Sequence, residues 1–324
     1  MSSSATSPEL SVILIIPDRY ATIRNTVRAL KAQTVHGCLE LVLVAPFQEA
    51  ARGVEEDAAM FHSVQVVEFG EIRTLAAPRS AGVRAATAPL VALCEDHALP
   101  ERNWAEALIK AHREERAAVG PAFLNGNPAV LSWISLIMDY GRWMDPVTGG
   151  NTNDVPGHNS AWKRSILLDC GSKLEQVLQA PTLLHWELVD KGHQLYLEPD
   201  AKVRHFNITR LGSFIVDHYY GARMFAGVRS SEWPAWQRGV YVCATPLFVI
   251  RKLRQWIGHI RRTGLSKMLP WMLPHLMLAA VTSGTGELIG FGFGIGKSEH
   301  KILRYDAHRE PYLNQRDRHL LATS

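Results

Sequence analysis

Residues 90–97 read LVALCEDH and combine a strand signal with a cluster of reactive side chains. The apolar run at 90–94 predicts a buried strand, and Glu95, Asp96 and His97 follow it without a break. Three polar groups at the carboxyl end of a strand are poorly placed for packing. They are well placed for a ligand, because open α/β sheets bind their ligands at those ends.

The residues around this strand alternate between short β-branched runs and amphipathic helical stretches. Before it, strands are predicted at 11–16, 39–44 and 64–69, with helices at 22–33 and 79–87. After it come a helix at 104–116, a less regular stretch to 155 and a loop entering a helix at 156–164. A helix at 182–191 and a strand at 194–199, which residues 201–205 extend, complete the series. This alternation predicts an α/β fold, with a mostly parallel sheet flanked by helices.

The composition excludes several classes of protein. A chain of 324 residues that is 47% apolar and 20% charged buries a large core, which excludes a disordered chain and a disulfide-stapled miniprotein. The four cysteines are far apart and form no C-x-x-C pair, which argues against a zinc ribbon and for a reducing compartment. No signal peptide is expected at the N-terminus.

The charge divides unevenly along the chain. Residues 1–216 carry 20 Lys and Arg against 24 Asp and Glu, whereas residues 217–324 carry 15 against 7. A basic C-terminal third indicates an anionic partner, either nucleic acid or a membrane surface, with a solvated basic face as the simpler alternative.

The same region contains two apolar features. Residues 249–262 form a basic amphipathic helix, and residues 268–286 contain no Lys, Arg, Asp or Glu. Interfacial or re-entrant insertion, a true membrane span and a helical hairpin packed on the body all remain open. The glycine-rich run at 290–296 lacks a preceding strand, so close helix packing or flexibility at a membrane interface suits it better than a dinucleotide loop.

Five motifs in order over residues 10–207 resemble the family 2 glycosyltransferases, which have the GT-A (Rossmann-like) fold. They are a strand ending in Pro17, PRSAGVRAA at 78–86, LCEDH at 93–97 followed by Pro100 and Trp104, GHN at 157–159 followed by Lys163 and Arg164, and Gly192 followed by EPDAKVRH at 198–205.

The resemblance implies a divalent metal, Mn²⁺ or Mg²⁺, bound at a variant of the family's D-x-D motif. Asp96 and His97 take the place of its acidic ligands, and His205 matches the family's C-terminal histidine. Imidazole is a less typical ligand of Mn²⁺ than carboxylate but suits several transition metals. A histidine at a strand end with no ligand is the simpler alternative for His97.

The resemblance also implies binding residues for the donor and the acceptor. Donor-binding residues are expected at Pro17, Asp18, Arg79, Glu95 and Asp96. The sugar or acceptor pocket is expected at Gly157, His158, Asn159 and Trp162.

The chain departs from the family pattern at two places. Ala45 and Pro46 replace an acidic pair that often contacts the nucleoside, which leaves Asp18 as a candidate for base recognition. The acidic pair that supplies the catalytic base falls on Ala180 and Pro181. Glu187 is the expected substitute, with Glu175 as the other candidate.

These features predict a glycosyltransferase that moves a sugar from a nucleotide-sugar donor to an acceptor hydroxyl with inversion. Its expected partners are a glycan or lipid-linked acceptor and an anionic membrane surface at the cytoplasmic face, and not nucleic acid. The expected organisation is a disordered segment at 1–9, the GT-A domain at 10–216, a membrane-associating helical region at 217–300 and a polar tail at 301–324. The alternatives are a catalytically degenerate partner subunit and a nucleotidyltransferase, whose Gly-rich basic loop this chain lacks.

Overall fold

The computed structural model describes residues 7–323, and within them nine strands form one sheet. The strands are β1 Leu10–Ile15, β2 Leu39–Ala45, β3 Ser63–Glu68, β4 Leu90–Leu93, β5 Ala98–Pro100, β6 Ala118–Asn125, β7 Gly150–Thr152, β8 Ala161–Lys163 and β9 Leu195–His205.

The helices are α1 Arg24–Lys31, α2 Glu55–Ala58, α3 Ala76–Ala85, α4 Trp104–Ala111, α5 Val130–Tyr140, α6 Arg164–Asp169, α7 Leu174–Gln179, α8 Pro181–Asp190, α9 Leu211–Arg229, α10 Ala235–Arg262, α11 Leu269–Phe293, α12 Ser298–Ala307 and α13 Gln315–Thr323. The chain divides into two compact units: one contains residues up to 122 and 148–204, the other residues 123–147 and those from 205 onward.

The sheet of the first unit has a parallel half and an antiparallel half. Its order is β3-β2-β1-β4-β8-β6-β9-β5, with β7 paired to β9. Strands β1 to β4 pair in parallel, whereas β8 runs antiparallel to both β4 and β6. Every residue of β1 and β2 is buried, as expected where helices cover both faces of parallel strands. The α/β class and the GT-A fold are therefore confirmed.

The expectation of an irregular stretch up to residue 155 is wrong, because it contains β6, α5 and β7. The central positions of β6 are Gly120 and Pro121, which are turn signals in a sequence. A β-carbon on Gly120 would lie 2.6 Å from Pro156, so the glycine permits a close approach within the fold. Helix α5 is apolar on most sides, so its sequence lacks the alternation of apolar and polar residues every three to four positions that indicates an amphipathic helix. Residues 194–199 and 201–205 belong to the single strand β9.

The N-terminal prediction falls mainly on residues 1–6, which lie outside the described residues. Beyond them, Glu9 donates its backbone N–H to the Cys38 carbonyl at 2.9 Å. The domain bounds predicted further along the chain, at 216 and 300, remain predictions.

The second unit contains one long apolar helical segment. Among the described residues, Leu265–Phe293 alone is long and apolar enough to cross a membrane by length and composition, and 56% of its most apolar window is buried in the protein. Helix α11 packs against α9 on one side and α10 on another.

Replacing Gly290 by alanine is expected to lower the free energy of unfolding by about 2 kcal/mol. A β-carbon on Gly290 in α11 would lie 2.5 Å from the Arg223 carbonyl oxygen in α9, so the two helices would have to separate. Urea unfolding followed by circular dichroism measures the loss. The matched control is Gly258→Ala in α10, where no atom lies within 4 Å of the added carbon. That variant is expected to be slightly stabilised, and an equal response of both variants would contradict the packing account.

Candidate functional site

The candidate site begins where β4 ends. The backbone N–H of Cys94 still bonds to β1, at 3.0 Å from the Ile13 carbonyl, and the chain then leaves the ladder through Glu95, Asp96 and His97 before β5 starts. All three side chains are buried. Buried carboxylates are rare unless they are paired, so their partners define the site.

Both carboxylate oxygens of Glu95 have a partner. Oε1 lies 2.8 Å from Nδ1 of His158, and Oε2 accepts a hydrogen bond from Nδ2 of Asn159 at 3.1 Å. The Glu95 backbone is held as well, because the Thr26 hydroxyl donates to its carbonyl at 2.8 Å. Glu95 is therefore fixed in position by the loop that joins β7 to β8.

Asn159 holds that loop against the end of β4. Its φ of 61° is in the left-handed region, which asparagine tolerates better than most residues. In this conformation its N–H donates to the Leu93 carbonyl at 2.8 Å and its own carbonyl accepts from Nε1 of Trp104 at 3.0 Å. One residue thus ties the loop to β4, to α4 and to the Glu95 side chain.

His158 links Glu95 to a guanidinium. Nη1 of Arg79, on α3, lies 2.8 Å from Nε2 of His158. Because arginine only donates, Nε2 accepts and the ring hydrogen lies on Nδ1, where it is donated to Glu95. Burial and the charge of Arg79 lower the pKa of His158, with Glu95 acting in the opposite direction. The neutral ring therefore relays a hydrogen bond from Arg79 to Glu95.

His97 and Asp96 form a second pair beside Glu95. Nδ1 of His97 lies 2.6 Å from Oδ1 of Asp96, and its Nε2 lies 3.9 Å from Oε1 of Glu95. In the neutral ring, the bond to Asp96 directs the lone pair of Nε2 toward Glu95. A carboxylate that orients a histidine in this way is the usual support of a histidine metal ligand.

The donor atoms can share a divalent cation. Oε1 of Glu95 and Nε2 of His97 are too far apart for a good hydrogen bond, and their 3.9 Å separation is below the limit of about 4.4 Å for two ligands on one ion at about 2.0–2.2 Å each. An oxygen and an imidazole nitrogen together are typical of manganese, zinc and related ions.

His205 is the last residue of β9 and belongs to the second unit. It is buried, its Nδ1 lies 2.8 Å from Oδ1 of Asn207, and its ring centroid lies 4.8 Å from that of Tyr140.

Two of the predicted binding residues, Asp18 and Trp162, make contacts other than those of the Glu95 network. Asp18 follows β1 and Pro17, and its Oδ1 accepts bonds from the Thr22 hydroxyl at 2.7 Å and the Arg19 N–H at 2.8 Å. Trp162 is buried in β8 with its ring stacked on His185, 5.0 Å between centroids.

His185 on α8 pairs with Asp154 at 2.5 Å. Sequence reasoning missed this pair, and a separation of 31 residues gave no local signal for it.

The predicted catalytic base lies on the surface of α8. The side chain of Glu187 is 55% exposed and pairs with Lys191 one helical turn later. Ala180 precedes α8 and Pro181 is its first residue, so no carboxylate lies at the position of the family's acidic pair. Glu175 is an exposed residue of α7.

A sheet of mostly parallel strands flanked by helices, with a further helical region, is consistent with the GT-A class of α/β domain. Residues 11–171, about half of the chain, match the model of the family described as Glycosyl transferase family 2.

Two curated relatives, from the CDC 1551 / Oshkosh and ATCC 25618 / H37Rv strains of Mycobacterium tuberculosis, are each described as a pre-mycofactocin glycosyltransferase. Each is 25% identical over 223 residues, which cover 66% of this chain and 46% of the relative. The chain thus spans about half the length of these relatives.

Proposed function

We propose that the chain is a metal-dependent glycosyltransferase that transfers a sugar from a nucleotide-sugar donor to an acceptor hydroxyl. The observation that carries this proposal is the buried network of Glu95, Asp96 and His97 at the end of β4, held by His158 and Asn159. The family match and the description of the relatives support the reaction class. The donor would bind across the strand ends of the first unit.

The cation is proposed to be held by Glu95 and His97, whose side chains are both buried. His205, the third ligand that the motif comparison implies, remains a prediction. In this assignment Asp96 orients the His97 ring through the 2.6 Å bond, instead of providing a ligand oxygen as the motif comparison implies. When bound, a divalent ion neutralises charge on a departing nucleoside diphosphate.

The other residues of the site hold the Glu95 side chain in position and balance its charge. His158 and Asn159 keep Glu95 in one rotamer, so that little reorganisation accompanies donor binding. Arg79 adds a fixed positive charge beside the carboxylate that the donor's diphosphate would approach. Asp18 and Pro17, after β1, are proposed to contact the nucleoside end of the donor.

The proposed transfer is a single displacement. The acceptor hydroxyl attacks the anomeric carbon from the face opposite the diphosphate, the bond from that carbon to the diphosphate breaks, and the hydroxyl proton passes to a base. One displacement inverts the configuration. A lipid-linked or surface glycan acceptor at the cytoplasmic face of a membrane is proposed as the partner, supported by the basic and apolar C-terminal helices.

The test is hydrolysis of a panel of UDP-, GDP- and dTDP-sugars, with and without Mn²⁺ or Mg²⁺. Release of the nucleoside diphosphate from one donor, dependent on the metal, is the expected result. An absence of both donor binding and release across the panel would contradict the proposal.

A second candidate is a partner subunit that binds a nucleotide sugar or glycan at the membrane without turning it over. It is favoured by Ala180 and Pro181, which stand where the family has its acidic pair. Two results together would select this candidate over the enzyme. Calorimetry would detect donor binding, and no product would form with any acceptor.

Glu187→Gln tests the predicted base directly. If Glu187 takes the acceptor's proton, kcat falls about 10²-fold or more while the KM of the donor is unchanged. The matched control is Glu175→Gln, an exposed carboxylate on the preceding helix, with an expected change below about twofold. A Glu187→Gln variant that keeps full turnover would remove this residue from the mechanism.

A further inference from the structure

Helices α10 and α11 leave a continuous apolar surface uncovered. Of the fourteen large apolar side chains exposed among the described residues, ten lie on these two helices. On α10, Trp236, Val240 and Leu247 follow one stripe at helical spacing, with the exposed Cys243 between them. On α11, Trp271 and Phe293 are 75% and 76% exposed near the two ends. We call these exposed stripes the outward face.

The outward face of α11 carries no charge. Glu287 is the single Asp, Glu, Lys or Arg of this helix, and it is buried with its Oε1 2.6 Å from Nζ of Lys252 on α10. The opposite side of α11 packs against α9 through Gly290. The single carboxyl group of the helix is thus paired between the helices, and the outward side of α11 presents no Asp, Glu, Lys or Arg to an apolar phase.

The apolar stripe of α10 continues directly into exposed arginines. Leu247 and Ile250 line one shallow groove together with Arg251 and Arg254. The segment Ala235–Arg262 contains six Lys and Arg and no Asp or Glu. A face that is apolar along one part and basic along the next complements the headgroup region of an anionic bilayer, and would not complement a second copy of itself, because its arginines would then face each other.

The contacts between the helices argue against a membrane span. They run antiparallel: Nε of Arg238 bonds to the Phe291 carbonyl at 2.8 Å, and Val249 packs against Gly284. Arg251 and Arg254 therefore lie beside the middle of α11. A transmembrane α11 would carry them into the hydrocarbon, which is costly, whereas a helix pair lying along the surface keeps them among the headgroups.

We infer that the α10–α11 pair docks its outward face into one leaflet of an anionic membrane and lies parallel to the surface. The apolar side chains enter the leaflet to a depth of about 5–10 Å, and Arg251 and Arg254 contact lipid phosphates. This inference deepens the membrane part of the proposed function. Its test uses neither donor nor acceptor, so its failure would leave the donor-site proposal standing.

The first measurement is flotation of the full chain with vesicles of phosphatidylcholine, alone or mixed with phosphatidylglycerol. Salt-sensitive binding to the mixed vesicles is expected. Arg251→Glu combined with Arg254→Glu is expected to weaken it about tenfold or more, and Val281→Glu on the outward face about as much. The matched controls are Arg102→Glu combined with Arg113→Glu, and Met60→Glu, which make the same charge changes at exposed positions of the first unit and are expected to bind like the unmodified chain.

The second measurement uses Cys243 as a native label site on the outward face. An environment-sensitive fluorophore on Cys243 is expected to shift to the blue with mixed vesicles and to be quenched more by lipids brominated near the headgroup than by lipids brominated at the chain end. Cys243→Ser removes this signal and identifies its source.

Three results would overturn the inference. One is equal flotation of all variants. Another is a chain that resists alkaline carbonate extraction and is quenched from the bilayer centre, which indicates a span. The third is a dimer by light scattering that Val281→Glu dissociates, with no vesicle binding.

Discussion

His97→Ala is expected to lower metal-dependent turnover of the nucleotide sugar about 10³-fold and to weaken Mn²⁺ binding in the presence of UDP. The ring supplies one of two donor atoms that face each other at 3.9 Å, so its loss would leave the proposed ion with fewer protein ligands. Loss of one preorganised electrostatic group in a buried site commonly costs 10²–10³-fold in rate.

Two further variants distinguish a ligand from a residue that only supports the fold. Asp96→Asn keeps the size of the side chain but weakens the orientation of the His97 ring, so a smaller loss of about 10–100-fold is expected. His193→Ala removes an exposed histidine of the same unit and is expected to change turnover less than twofold. Equal turnover in His97→Ala and His193→Ala, with both chains folded, would contradict the site assignment.

Glu40→Ala is expected to lower the free energy of unfolding by about 3 kcal/mol, the largest stability effect we expect. Glu40 is buried on β2 and accepts hydrogen bonds from the Ser11 hydroxyl on β1, from Gln65 at 2.9 Å, and from the N–H and hydroxyl of Thr87 at 2.8 and 2.9 Å. Its removal takes the acceptor from the Ser11 hydroxyl and from both donors of Thr87, whereas Gln65 keeps its bond to the Ala85 carbonyl. Urea unfolding is the measurement, with a lower midpoint and an unchanged slope expected.

The same residue gives the first unit an acid sensitivity. Burial raises the pKa of Glu40, but the hydrogen bonds from Ser11 and Thr87 outweigh it, so the net pKa lies below its ordinary value of 4.5. A carboxylate with a lowered pKa stabilises the fold above its unfolded pKa, and this contribution is lost as the pH falls from about 4.5 through the folded value. Stability measured against pH is therefore expected to fall less in Glu40→Gln than in the unmodified chain.

The control for both measurements is Glu68→Ala, at the exposed end of β3, which is expected to change stability by less than about 0.5 kcal/mol. A Glu40→Ala chain as stable as this control would contradict the account of the buried network.

Much of the fold was predictable because its signals are local. The apolar runs of β1, β2 and β4 fix three parallel strands, and helical periodicity fixes α1 and α4 to within a few residues. The segment with β6 and α5 was not predictable, because Gly120 is required by a contact with Pro156, distant in the chain. Gly120 therefore looks like a turn residue in the sequence, but the structure requires a glycine there for packing.

The candidate site was predictable as a set of residues but not as a network. Motif order identified Glu95, Asp96, His97, Arg79 and His158 individually. It gave no sign that Arg79 reaches Glu95 through His158, because side-chain relays depend on rotamers and not on spacing. The missing acidic pair at Ala180 and Pro181 was also clear from the sequence. Which group replaces it depends on the position of the acceptor, so Glu187 remains a prediction.

The central claim is that the cluster after β4 binds a divalent cation through His97, and pulsed electron paramagnetic resonance of Mn²⁺ bound to the full chain with UDP tests it most directly. The account predicts one Mn²⁺ per chain with magnetic coupling to an imidazole nitrogen, and a loss of that coupling in His97→Ala but not in His193→Ala. Mn²⁺ that binds without nitrogen coupling, or whose coupling is unchanged in His97→Ala, would contradict it.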